Sequence, residues 1–169
     1  AALAAAAITV QLGGQLTSGA AIDFASVADQ VPGILNTGLI RIGFTTATAV
    51  PIGGKITLAL PADYFSAVVE ARNNSFTTGG AVAGAIANCV RTASAGATVA
   101  VLGIMGADTL VCTLKIASLV AGAQVMSLVP QAVITGTPQA EAKYNVATSV
   151  DAALAAAAIT VQLGGQLTL

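Results

Sequence analysis

An exact internal duplication limits the folds that are open to this chain. Ala1–Thr17 reads AALAAAAITVQLGGQLT, and Ala152–Thr168 repeats it without a change, at an offset of 151 residues (from position 1 to position 152). A long identical copy at a fixed period is typical of repeat architectures, in which each unit buries a surface against its neighbour. We therefore interpret residues 1–151 as one repeat unit and residues 152–169 as the start of the next unit.

Three origins of the duplication are consistent with the sequence. The chain is a piece of a longer tandem array, or a terminal strand was copied by design to complete the fold, or a segment shared within a continuous fibre was counted twice. The tandem array is favoured, since no Gly/Ser linker marks an engineered joint near Asp151. All three origins place the segment at a junction between two units.

The duplicated segment itself has the pattern of a half-buried strand. Apolar side chains fall at every second position, with Thr and Gln between them, before a Gly-Gly pair ends the pattern. Because a strand at a unit boundary can add to the sheet edge of a neighbour, we predict that it joins successive units by strand complementation. The residues expected to form this inter-unit strand are Ile8, Val10 and Leu12 in the first copy, and Ile159, Val161 and Leu163 in the second.

The rest of the chain also alternates in short stretches separated by Gly, Pro, Asn and Asp. About eight to ten such strands at a spacing of roughly 8–15 residues are typical of antiparallel sandwiches. We predict an all-β, Ig-like antiparallel β-sandwich, with one helical turn or two between Phe65 and Asn74 as the exception. The predicted core faces are Ile40, Ile42 and Phe44; Ile56, Leu58 and Leu60; and Leu110, Cys112, Leu114 and Ile116.

The composition predicts a surface that something else covers. Hydrophobic residues make up 56% of the chain, charged residues only 8%, and the mean hydropathy is +0.87. A net charge of −1 gives no basis for binding nucleic acid. The longest uncharged stretch, from Ile116 to Ala140, is interrupted by Gly and Pro, so we expect no membrane span. Copies of the protein itself and attached glycans are the expected partners.

Two cysteines, Cys89 and Cys112, lie in apolar strand-like contexts. In a secreted protein two cysteines most simply form one disulfide, which we predict here. Two buried free thiols are the alternative. The chain has no His and no CxxC spacing, so no metal site is expected.

Catalytic constellations are missing from the sequence. Without His, neither a Ser-His-Asp nor a Cys-His arrangement can form, and the seven acidic residues are scattered. We expect no enzymatic activity and no cofactor. The sequence Asn73-Asn74-Ser75 is a glycosylation sequon, which makes Asn73 the candidate for a glycan in a secreted eukaryotic protein. An adhesive or carbohydrate-binding module is the alternative, with Tyr64, Phe65, Asn73 and Asn74 as its candidate contacts.

The run IRIGFTTATAVPIGGKITLALPADYF, from Ile40 to Phe65, resembles a recurring unit of long repetitive surface proteins of algae and other protists. In those proteins a Cys-containing strand follows, and here Leu110–Ile116 matches it, with Ala121-Gly122-Ala123 and Thr135–Gln139 after it. The resemblance implies tandem Ig-like sandwiches in extracellular fibres or coats and supplies no catalytic residues. Together with the duplication, it leads us to expect an extracellular or cell-surface structural protein, with a donor-strand pilus subunit as a related alternative.

Overall fold

The computed structural model describes residues 22–69, 74–78, 81–93, 100–102, 104–137, 142–151 and 157–159. In these ranges the protein consists of antiparallel strands, with one short 3-10 helix at Val27–Gln30 and no α-helix. The strands are β1 (Ile22–Phe24), β2 (Ile40–Thr46), β3 (Lys55–Leu60), β4 (Phe65–Val68), β5 (Asn74–Thr78), β6 (Ala81–Thr92), β7 (Ala100–Val101), β8 (Ile104–Met105), β9 (Asp108–Leu114), β10 (Gly122–Leu128), β11 (Val133–Thr135), β12 (Ala142–Thr148) and β13 (Ala157–Ile159). The predicted all-β class is confirmed.

Nine strands form one antiparallel sheet in the order β1-β2-β10-β5-β6-β9-β3-β12-β13. The twelve-residue strand β6 divides this sheet into two halves. Its first part, up to Ala87, pairs with β5, and its second part, from Ala87 to Thr92, pairs with β9. Two small ribbons, β4 with β11 and β7 with β8, lie outside the main sheet.

The core lies between the two halves of the sheet. Tyr144 on β12 donates a hydrogen bond from its hydroxyl to the carbonyl oxygen of Gly43 on β2, at 3.3 Å. The Sγ of Cys112 on β9 lies 3.5 Å from the Sδ of Met126 on β10. Both contacts join strands that are not neighbours in the sheet, so the halves face each other across a shared apolar interior.

The strands predicted from alternation lie where the pattern placed them. Ile40, Ile42 and Phe44 are buried on β2, and the predicted inward residues of β3 are buried as well. Strand β9 alternates between buried and half-buried positions along its whole length. Since the alternating side chains face one core, the period of two was sufficient to find these strands.

Two details of the prediction were wrong. Ile116, expected on the inward face of β9, lies beyond the end of that strand and is 60% exposed. The helical turn expected from Phe65 begins instead as strand β4, because Phe65 is buried and its backbone pairs with Thr135 of β11. This long-range pairing overrides the local preference for a helix.

A buried carboxylate organises the loop that leads into β2. Asp29 accepts hydrogen bonds from the Thr37 amide (2.8 Å), the Thr37 hydroxyl (2.8 Å) and the Gly38 amide (2.7 Å). Burial by itself would raise the pKa of this carboxyl, but the three hydrogen bonds outweigh it and hold the pKa below the usual value. The loop is therefore held by an ionised side chain at neutral pH.

The two tyrosines of the chain, Tyr64 and Tyr144, are both fully buried, and this predicts a loss of stability in alkali. Burial raises the pKa of Tyr144 to about 12 and raises that of Tyr64 further. An unfolded tyrosine ionises near pH 10. The stabilising contribution is thus complete below pH 10 and is lost as the pH rises towards the folded pKa, at up to about 1.4 kcal/mol per pH unit for each tyrosine.

Denaturant unfolding followed by far-UV circular dichroism between pH 9 and pH 12 measures this effect. The double variant Tyr64→Phe/Tyr144→Phe is the control, because it removes both phenol groups and keeps the aromatic rings. A variant whose pH profile is as steep as that of the native protein would show that the tyrosines are not responsible.

Candidate functional site at the edge strand β12

Strand β12 lies near one end of the nine-stranded order and has different partners on its two sides. On its inner side it pairs with β3, from Asn145 opposite Ala59 to Thr148 opposite Ile56. Its side chains Tyr144 and Val146 are buried in the core. The strand is therefore firmly anchored on one side, which leaves its other side available as an edge.

The outer side of β12 is occupied by the duplicated segment. Strand β13 pairs antiparallel with the start of β12, with Ala157 opposite Tyr144 and Ile159 opposite Ala142. At the offset of 151 residues, Ala157–Ile159 is the second copy of Ala6–Ile8. Part of the repeated sequence thus adds a strand to the sheet that the preceding strands of the same chain form.

Of the predicted inter-unit residues, only Ile159 falls on described backbone, in β13. Ile8, Val10, Leu12, Val161 and Leu163 lie outside the described residues, so their part in the junction stays a prediction.

The chain just before the second copy is fixed by Asp151. This residue is buried, and its carboxylate accepts a hydrogen bond from the Thr48 amide at 3.2 Å. Its own amide donates to the Thr148 hydroxyl (2.8 Å), and its carbonyl oxygen accepts a bond from the Thr148 amide (2.9 Å). The tight turn after β12 sets the point from which the duplicated segment starts.

The side chain of Asn145 closes the outer edge of β12 beyond the residues that pair with β13. Its Oδ1 accepts a hydrogen bond from the Val146 amide at 2.8 Å, and its Nδ2 donates to the Leu102 carbonyl oxygen at 2.7 Å. Leu102 lies in the turn between β7 and β8 and has a left-handed backbone, with φ at 50°. Sequence reasoning missed Asn145, because a single Asn in an alternating strand gives no sign of a contact 43 residues away.

The predicted disulfide between Cys89 and Cys112 is confirmed. The two residues are directly opposite each other on the neighbouring strands β6 and β9, and both are buried. The bond therefore links β9 covalently to β6, the strand at which the two halves of the sheet meet. Its presence is compatible with an oxidising compartment.

The structure brings two of the scattered carboxylates together around one arginine. The Nη2 of Arg91 lies 2.6 Å from Asp108 and 2.8 Å from Asp63, and the Asp63 amide also donates to Asp108 at 2.9 Å. Arg91 Nη1 donates to the Ser66 carbonyl oxygen at 3.1 Å. The Arg91 guanidinium on β6 thus links Asp63, in the turn before β4, to Asp108 on β9. Among the described residues no group of three or more acidic or Cys side chains is placed to bind a metal ion.

The residues expected for sugar binding are not placed for it. Tyr64 and Phe65 lie in the core with their rings edge to face, and Asn74 is buried as well. A ring that stacks on a sugar must be exposed, so the predicted aromatic contacts are wrong. Asn73 lies outside the described residues.

No protein-family model, no curated protein and no solved structure matches this chain. Within the described part of the chain, no helix is both long and apolar enough to cross a membrane.

Proposed function

We propose that this protein is a structural subunit of an extracellular filament, in which units join head to tail by strand complementation. One observation carries the proposal: a piece of the duplicated segment forms strand β13 on the outer edge of β12. Because the first copy has the same sequence, it presents the same side chains to the same edge in another unit. Ala6, Ala7 and Ile8 of one unit then pair with Tyr144, Lys143 and Ala142 of the unit before it.

This exchange produces an open polymer rather than a closed pair. The donor segment precedes β1, whereas the acceptor is β12, so each unit contributes two different surfaces to its two neighbours. Heterologous contacts of this kind give filaments unless the rotation between units closes a ring. Backbone hydrogen bonds along the shared strand then supply strength, as in other β-augmented assemblies.

The proposed unit is an Ig-like β-sandwich that covers residues 1–151, followed by the start of the next unit at 152–169. Two facing sheet halves and the disulfide support a sandwich suited to conditions outside the cell. Neighbouring units and glycans, with Asn73 as the candidate site, would cover the apolar surface that the composition predicts. The proposal includes no catalytic activity and no cofactor, since a chain without His cannot form a Ser-His-Asp or Cys-His arrangement.

Proline substitutions that empty the edge of β12 test the proposal in the full chain. Neighbouring N–H groups in a strand point to opposite sides, so Ala157→Pro with Ala158→Pro removes a bond to β12 whichever group faces it. The native chain is expected to be monomeric, because its own second copy occupies the edge at a high effective concentration. The variant is expected to form concentration-dependent oligomers, as the first copy of a second chain takes the empty edge.

The matched control carries the same substitutions in the first copy. Ala6→Pro with Ala7→Pro alone should stay monomeric, and combining both pairs should abolish the oligomers of the first variant. Light scattering coupled to size-exclusion chromatography gives the mass, and circular dichroism shows whether each variant is folded. A folded variant with an emptied edge that remains monomeric at high concentration would overturn the proposal.

The polypeptide mass of the native filament separates a tandem chain from separate subunits. Under reducing, denaturing conditions after deglycosylation, we expect a mass many times 16.4 kDa. A mass near that of one unit would instead indicate separate subunits joined as in a donor-strand pilus.

A further inference from the structure

The amide of Val146 identifies which backbone groups of β12 face outward. This amide donates to the side chain of Asn145 rather than to β3. Because amides alternate between the two sides of a strand, the Tyr144 amide, two residues earlier, also faces outward. Tyr144 lies opposite Ala157 in the pairing with β13. The next outward amide that a docked strand would need is therefore that of Val146.

Asn145 is held so that it keeps this amide occupied. It is only 7% exposed, and its Nδ2 is bonded to the Leu102 carbonyl oxygen in the β7–β8 turn. Both polar ends of the side chain thus have partners in the folded unit. To release the Val146 amide, a docking strand would have to leave the Leu102 oxygen or the Asn145 oxygen without its bond, which is costly in a buried place.

We infer that Asn145 is an end stop for the strand docked on β12, and that it excludes the register shifted by two residues towards Thr148. A shift of two keeps each side chain of the docked strand on its own face, so the apolar pattern alone does not exclude it. In the shifted register Ala157 would lie opposite Val146 and would need the amide that Asn145 occupies. The observed register places Lys143 opposite Ala158. By sequence identity it places Lys143 opposite Ala7 of a neighbouring unit.

The role of this stop in a filament depends on the proposed function, but its existence does not. The strand that occupies the edge here belongs to the same chain, so the register can be read without any assembly. A failure of the end stop is therefore distinguishable from a failure of strand exchange between chains.

Paired cysteines report the register, since residues directly opposite on antiparallel strands are close enough for a disulfide. Lys143→Cys with Ala158→Cys should cross-link within the full chain under mild oxidation. Lys143→Cys with Thr160→Cys reports the shifted register and should not cross-link. Adding Asn145→Ala should make the second pair cross-link to an extent comparable with the first, measured by peptide mass spectrometry. If Asn145→Ala leaves only the first pair linked, the end stop is refuted.

Tyr144→Phe is the control for general loosening. It removes the bond to Gly43 from the neighbouring residue but leaves Asn145 in place, so it should keep the single register. A shifted cross-link in this variant as well would assign the effect to loosening and would refute the end stop.

Hydrogen exchange keeps the inference testable if Asn145→Ala does not fold. In the chain that carries both proline pairs, Ala6→Pro/Ala7→Pro and Ala157→Pro/Ala158→Pro, neither copy can occupy the edge, so the Tyr144 amide should lose most of its protection. The Val146 amide should keep its protection, because Asn145 still accepts its hydrogen bond. Equal loss at both amides would overturn the inference.

Discussion

Reduction of the Cys89–Cys112 disulfide is expected to lower the free energy of unfolding by about 3 kcal/mol. The bond joins residues 23 apart in sequence, and in the chain-entropy model a loop of this length restricts the unfolded chain by about that amount. Both cysteines are buried in paired strands, so the reduced thiols stay in an apolar place and the folded state changes little. The loss is therefore expected mainly through the freedom that the unfolded chain regains.

Equilibrium denaturation with and without reductant measures the difference, and a thiol assay confirms complete reduction. The double variant Cys89→Ala/Cys112→Ala is the control, and its transition should not respond to reductant. If the fully reduced native protein unfolds at the same denaturant concentration as the oxidised protein, the disulfide does not stabilise the folded state.

Gly136→Ala is expected to destabilise the protein by about 3 kcal/mol, the largest effect that we predict for adding one methyl group. A Cβ at this position would overlap the backbone carbonyl oxygen of Asp63. The close approach serves two backbone hydrogen bonds, from Gly136 to the Tyr64 oxygen and from Thr137 to the Asp63 oxygen, each at 2.9 Å. Because backbone meets backbone here, no side chain can turn away to make room, and both bonds must lengthen or break.

Gly53→Ala is the matched control, since it tests conformational strain without overlap. Gly53 has φ at 80°, but a Cβ there would meet no atom within 4 Å. We expect a cost of about 1 kcal/mol from the left-handed backbone alone. Denaturant unfolding of both variants ranks the effects. If Gly136→Ala lowers the free energy of unfolding no more than Gly53→Ala does, the backbone around Gly136 and Asp63 can move apart more easily than their close contact indicates.

The proposed strand complementation accounts for the combination of a low charge and a repeated strand-like segment in one chain. A fibre subunit has little need of solubility as a monomer, since neighbours cover part of its surface. It does need an edge that accepts one partner strand and rejects others, because open edges aggregate. The proposed end stop at Asn145, through its bond to the Val146 amide, would limit the register of the strand that docks on this edge.

Local patterns in the sequence were sufficient to predict many of the strands of the sheet. Strands β2 and β9 alternate along their whole length because one side faces a continuous core, and β3 alternates as far as Leu58. The alternation within the duplicated segment predicted a strand there before any pairing was known. Strand β5 and most of β6 were missed, since only the surroundings of Cys89 were predicted to be strand-like. Their residues from Asn74 to Thr92 are rich in Ala, Gly and Thr, so no large apolar side chain repeats with a period of two.

The sequence by itself determined the all-β class, most of the strands and the presence of a duplicated segment, because these can be read from residues close together in the chain. Only the tertiary structure decided which edge receives the second copy, how the carboxylates of Asp63 and Asp108 meet at Arg91, and which side chain closes the edge. These features depend on contacts that range from the pairing of Tyr144 with Ala157, 13 positions apart, to the hydrogen bond between Asp63 and Asp108, 45 positions apart. No local pattern encodes such contacts, since they exist only after the strands have found their order in the sheet.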